Sequence, residues 1–210
     1  MSELFVSAFV TFLVVIDPPG CAPIFAGLTR EATPVHRRAM AVRSVLIASA
    51  ILLFFAVLGE DLLRALGISL SAFRVAGGIM LFLIAIDMVF ERRTERRENR
   101  AQEVSASDAE DVSVFPMAIP MIAGPGSIAS VMLLMARGDG LTESLLVLGA
   151  LLATLVLTLI ALLAAGPLMR LLGHKMEAMI TRILGVILAA LATQFVLDGL
   201  ERSLPGLAGG

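Results

Sequence analysis

Apolar residues run along this chain in six long blocks separated by short polar stretches. Four blocks are uninterrupted: Ala39–Leu58, Ser69–Val89, Leu145–Ala165 and Ile180–Leu197. Each matches the roughly 20 residues that carry an α-helix across a bilayer. The other two, Leu4–Leu28 and Phe115–Met135, are equally long but interrupted. The first contains "AFVTFLVVIDPPGCAPIF" (Ala8–Phe25) and the second "VFPMAIPMIAGPGSIASVM" (Val114–Met132). The pattern predicts an all-α integral membrane protein of six spans, with spans one and four broken at Pro-Gly near the midplane.

The interruptions have a local meaning. Asp17-Pro18 reads as a helix start, with a carboxylate at the N-cap and proline at the first helical position. Ile16 then ends one half-helix, and Pro18 begins another that runs to about Leu28. In the second block Gly124-Pro125-Gly126 ends one half and Ser127 opens the next. Each break withdraws backbone N–H groups from their partners where no water is present, so those groups must line a cavity or bind something. Half-helix N-termini carry partial positive charge that suits a carboxylate. Asp17 costs about 2.5–3.5 kcal/mol to place inside a bilayer. It serves as an acceptor for a substrate ammonium, as a protonatable site, or as a cap for the kink. The candidate substrate-binding residues are therefore Asp17, Pro18 and Gly20 at one break, and Gly124, Pro125, Gly126 and Ser127 at the other.

The two breaks also suggest a duplication. A shift of 106 residues lays Pro19-Gly20 over Pro125-Gly126, Phe9 over Phe115 and Cys21 over Ser127. A shift of 108 lays "RVAG" (Arg74–Gly77) over "RILG" (Arg182–Gly185), with Asp87 and Asp198 near the ends of their spans. The expected organisation is one three-span repeat over 1–90, a charged linker over 91–112 and a second repeat over 113–210. A unit with an odd number of crossings must be copied upside down, the 3+3 inverted arrangement whose paired broken helices mark a transporter site.

Composition sharpens the class. The chain is 58% hydrophobic over 210 residues and lacks Trp and Tyr, whereas soluble domains are about 45–50% apolar. Arginines cluster in alternate loops: Arg30, Arg37 and Arg38, then Arg92 to Arg100, then Arg170 with Lys175. The positive-inside rule makes those loops cytoplasmic and puts both termini on the outer, periplasmic side. No basic residue precedes the first block and Glu3 stands there instead, so a retained span is expected in place of a cleaved signal. The net charge of −2 and the lack of a basic aromatic patch predict no nucleic-acid partner. No His/Cys/acid cluster suggests a metal, and no cofactor is expected. "GPGS" (Gly124–Ser127) has no histidine base nearby in sequence, since His36 and His174 fall in loops, so an enzyme is not expected.

Other polar groups have structural readings. Arg74, Asp87 and Asp198 sit near span ends, where snorkelling to the interface is expected. Gln194 is expected to bond between helices, and Gly77, Gly78 and Gly185 to permit close packing. Spans two and five, lacking breaks, are placed outside, facing lipid. The linker Glu91–Asp111 reads as solvated, its first turns extending the third helix.

Three stretches, "DPPGCAPIFAGLT" (Asp17–Thr29), "GISLSAFRVAGGIMLFLIAIDM" (Gly67–Met88) and "AIPMIAGPGSIASVM" (Ala118–Met132), resemble the MarC family of bacterial inner-membrane proteins. The resemblance implies six spans, an inner-membrane location and transport of a neutral amino acid. Carried onto this chain it marks Asp17, Pro18, Gly20, Pro23, Pro125 and Gly126. The expected function is a secondary transporter, exporter or uptake carrier, of a small zwitterionic or carboxylate metabolite. The alternative is a channel for a small solute. Expected partners are the substrate and the lipid bilayer; a coupling proton or cation and homo-oligomers are compatible with the sequence.

Overall fold

The computed structural model describes residues 2–90, 96, 111–138 and 140–203, as backbone only at 2, 167–175 and 177. The charged linker therefore lies outside the described residues, apart from Arg96 and its last residues. All regular structure among the described residues is helical. Helix α1 (Ser2–Ile16) leads through Asp17 into α2 (Pro18–Leu28). Helices α3 (Pro34–Ala65) and α4 (Leu70–Val89) follow, each opened by a hydroxyl cap: Thr33 accepts from the His36 N–H and Ser69 from the Ala72 N–H. Beyond the linker come a short irregular helix α5 (Ser113–Ile122), then α6 (Pro125–Met135), α7 (Leu141–Leu163) and the long α8 (Ala165–Ser203).

Five helical stretches are long and apolar enough to cross a bilayer, and the bent pair α5–α6 makes up to six. The two interrupted blocks differ. Glu3–Leu28 qualifies as one span of 26 residues despite the interruption at Asp17, whereas α5 and α6 meet at 51°. The break of span one lies at Asp17, just before the Pro-Gly sequence, because Pro18 to Gly20 already form the first turn of α2. The break of span four lies at Ala123-Gly124, so α6 starts at Pro125 and not at Ser127.

α5 is not the regular half-helix expected. Its backbone is extended at Phe115 and Ile119, the residues before Pro116 and Pro120. A following proline disfavours helical backbone at the residue before it, and the ring supplies no N–H. The hydrogen bonds that remain reach five residues back, from Met117 to Val112 and from Ala123 to Ala118.

Packing puts the interrupted spans at the centre. In the most apolar stretch of Glu3–Leu28, 56% of residues are buried, against 33% for α3 and α4, 39% for α7 and 28% for Ala178–Ser203 of α8. α7 runs along α1 and also meets α2, α3 and α6. The uninterrupted span five thus packs on the central helices with one side, while Leu145, Leu152, Val156 and Ile160 leave its other side exposed, as expected of a span facing lipid. The most extensive pairing joins α4 to α8. Glycines set it: a Cβ at Gly199, Gly78 or Gly185 would stand 2.8–3.1 Å from the carbonyl oxygens of Ser71, Ala192 and Ala85 respectively. The descending order of partners makes the two helices antiparallel. Gly77 faces the other way, toward Leu133 and Ala129 of α6.

Candidate functional site: the two helix starts

α2 and α6 are each 11 residues long and begin with proline. Their far ends are finished alike. Arg37 of α3 donates to the Thr29 carbonyl at the end of α2, at 2.8 Å. Arg74 of α4 donates to the Ala136 carbonyl at the end of α6, at 2.9 Å. A guanidinium there satisfies a carbonyl without an intrahelical donor and complements the negative end of the helix dipole. Arg74 is only 1% exposed. The expectation that it snorkels fails, because the end of α6 comes to rest against it.

The near ends differ. At the first break the Asp17 N–H bonds to Leu13 O, and the Cys21 N–H bonds to Asp17 O. Pro18 and Pro19 have no N–H to satisfy. The Gly20 N–H donates to Asp17 Oδ1 at 3.2 Å. The Cys21 thiol donates to Ile16 O at 3.4 Å, taking a carbonyl that the end of α1 exposes. Asp17 holds this geometry with a left-handed backbone (φ 59°, ψ 65°), which aspartate tolerates better than most residues. Gly20 is required opposite it, since a Cβ there would lie 2.2 Å from Asp17 Oδ2. Each N–H from Asp17 to Cys21 has a partner, so this helix start seals itself.

The second break has no such closure. Gly124 occupies the N-cap of α6 without a side chain to offer, and Pro125 brings no N–H. The Ile128 N–H bonds to Gly124 O, leaving Gly126 and Ser127 with no backbone acceptor or side-chain cap among the described residues. Gly124 itself lies so close to α5 that a Cβ would stand 2.4 Å from the Pro120 carbonyl oxygen.

This uncapped start opens on a cavity of about 360 Å³. Gly124, Pro125, Gly126 and Ser127 line it, with Pro116, Pro120 and Met121 from α5, Val15 from α1, and Met80, Leu83, Ile84 and Asp87 from α4. Arg96 stands at the mouth, on the linker side, and its Nη1 bonds Asp87 Oδ2 at 2.6 Å. Of the residues singled out in the sequence, the four of the second break meet at one cavity. Asp17, Pro18, Gly20 and Pro23 do not line it. Asp17 is buried at the start of α2, and Pro23 lies inside that helix.

Asp87 is the residue the sequence reading missed as a site group. It was assigned to the interface, yet its side chain is only 18% exposed and lines the cavity. Its intramembrane position in an apolar run was the available signal. Asp198, the other acid assigned to snorkelling, pairs with Arg137, whose guanidinium also lies 4.4 Å from the Phe195 ring centre. Gln194 donates to Asp198 at 2.7 Å within α8 and makes no bond between helices among the described residues.

Just outside the spans, Asp111 accepts from both the N–H and hydroxyl of Ser113 and pairs with Arg43. Burial raises its pKa, but the Ser113 bonds and the charges of Arg43 and His36 outweigh that and hold it below the ordinary carboxylate value. The pair fixes the entry to α5 against α3.

Comparison with known proteins agrees with this architecture. The description "MarC family integral membrane protein" fits residues 2–204. A UPF0056 membrane protein of Methanocaldococcus jannaschii is 36% identical over 202 residues, covering 96% of this chain and 98% of its own. A UPF0056 membrane protein of Archaeoglobus fulgidus is 38% identical, covering 96% of this chain and 94% of its own. The UPF0056 inner membrane protein YhgN of Escherichia coli K12 is 35% identical, covering 98% of this chain and 100% of its own. No solved structure matches the chain. The six apolar blocks, the bent α5–α6 pair and these full-length similarities together make the chain a multi-pass member of the MarC family of integral membrane proteins.

Proposed function

We propose that this protein is a secondary transporter of a small zwitterionic or carboxylate metabolite, a neutral amino acid being the simplest case. The observation that carries the reading is the uncapped start of α6 on the cavity. The N–H groups of Gly126 and Ser127 are two donors at the positive end of a helix, with no backbone acceptor among the described residues. A substrate carboxylate supplies what they lack. Asp87 across the cavity then receives the ammonium, in exchange for its present partner Arg96. At about 360 Å³ the cavity is near the small end of ligand sites, suited to a metabolite and too small for a peptide.

Within this reading the linker is cytoplasmic, both termini are outside, and the protein resides in the inner membrane as its Escherichia coli relative's name states. The two arginine-capped 11-residue helices then belong to inverted three-span halves. Pro18 and Pro125 are their matching first residues, which makes the register 107, one more than the Pro-Gly alignment. Beyond Ser127 the residues Ala129 to Leu134 are all buried, which favours a carrier closed on one side over an open pore. No catalytic role is assigned to Ser127.

Counterflow in proteoliposomes tests the proposal. Vesicles loaded with an unlabelled neutral amino acid should accumulate the labelled one transiently, with saturation. Absence of counterflow across a panel of neutral amino acids and small carboxylates would remove the transporter reading.

A further inference from the structure

Hydroxyls inside these helices follow a rule with few exceptions. The buried Thr11, Thr29, Ser44, Thr154 and Thr158 each donate to the carbonyl four residues earlier, the usual way a membrane helix satisfies such a group. Ser130 does not. Its Oγ is fully buried and has no hydrogen-bond partner among the described residues. Thr181 of α8 shares that property, but α8 contributes nothing to the cavity lining among the described residues. Ser130 stands on α6 three residues beyond Ser127, on the same side of the helix and about 4.5 Å further along its axis. Ser127 is the furthest residue along α6 that lines the cavity.

We infer that the solute's route continues past the cavity along the Ser127–Ser130 side of α6, and that the Ser130 hydroxyl is its next hydrogen-bonding station. The inference rests on the transporter reading and names a residue that reading does not need. A hydroxyl can donate to a carboxylate and accept from an ammonium, so it serves either end of a zwitterion. With the route closed the hydroxyl stands unpaired; with the route open the passing solute or its water pairs it. The neighbouring Ala129 faces α4 instead, against Gly77, and is off the route.

The test uses the full chain in liposomes with the one native cysteine replaced, Cys21→Ser, which keeps a donor for Ile16 O. Ser130→Cys and Ala129→Cys are compared for reaction with the small cationic thiol reagent 2-aminoethyl methanethiosulfonate. Reaction at position 130 should be at least about tenfold faster than at 129, since both are buried and only the former meets the route. Equal rates, or no reaction at 130, would overturn the inference. Ser130→Ala provides a second arm: melting temperature should hold or rise, because an unpaired hydroxyl is removed. A clear fall would show a structural partner and also overturn it. Fast reaction at 130 without counterflow of any amino acid would keep the route and reject the substrate class. Counterflow with an inert position 130 would do the reverse.

Discussion

The starts of α2 and α6 are built from the same parts to opposite ends. Both follow an apolar segment, both place proline first, and both helices finish on an arginine from a neighbouring helix. At α2 the residue before the proline is aspartate, and its carboxylate bonds the N–H that the helix start exposes. At α6 that residue is glycine, and Gly126 and Ser127, whose N–H groups have no backbone acceptor among the described residues, line a cavity. One side chain decides whether a helix end inside a membrane is closed or available. Two broken spans therefore do not imply two binding surfaces.

Substitution should separate the two starts most strongly at their glycines. A Cβ at Gly124 meets the Pro120 carbonyl of the backbone, which cannot swing away. Gly124→Ala should cost on the order of 3 kcal/mol or prevent accumulation of folded protein, read by thermal unfolding in detergent. At Gly20 the obstacle is the Asp17 carboxylate, which can rotate at the expense of its cap. Gly20→Ala should cost about 1–2 kcal/mol, and a loss as large as that of Gly124→Ala would contradict the distinction.

Asp17 itself gives the next contrast. Asp17→Ala removes the acceptor for Gly20 and puts alanine in a left-handed backbone, so about 2 kcal/mol should be lost. Asp17→Asn retains both features and should unfold within about 0.5 kcal/mol of wild type. Equal losses in the two variants would mean that the charge, and not the cap, holds the break.

The smallest effect belongs to the entry of α5. Because the Asp111 pKa is lowered in the fold, its contribution is present above the ordinary value of 3.8 and is lost as pH falls through the folded value. The group is partly exposed, so the contribution is small. Melting temperatures of wild type and Asp111→Asn should differ near pH 6 and converge as pH falls below the ordinary carboxylate value. A gap that widens on acidification would reverse the sign.

Much of this arrangement is legible in the residues because it is local or imposed by the bilayer. Block length announces the spans, and Asp17-Pro18 announces the boundary between α1 and α2, since cap and proline act on adjacent backbone. Which of the adjacent prolines opens α2 is not legible in the residues, and it is the cap geometry at Asp17 that makes Pro18 the first residue. The course of α5 is hidden by its apolar composition, although Pro116 and Pro120 four residues apart were the warning. Arg74 and Asp87 read as interfacial from their distance to the span ends. Their burial depends on where the end of α6 and the cavity come to rest, which is a tertiary fact.

The central claim is that the second helix start receives the solute while the first is structural. It is tested most directly by counterflow of labelled neutral amino acids through wild type, Asp17→Asn and Asp87→Asn in matched proteoliposomes. Asp17→Asn should transport within about twofold of wild type, because the cap survives. Asp87→Asn should lose at least about tenfold, because the ammonium loses its charged partner. Transport abolished in Asp17→Asn and unchanged in Asp87→Asn would place the solute at the first break and contradict the account.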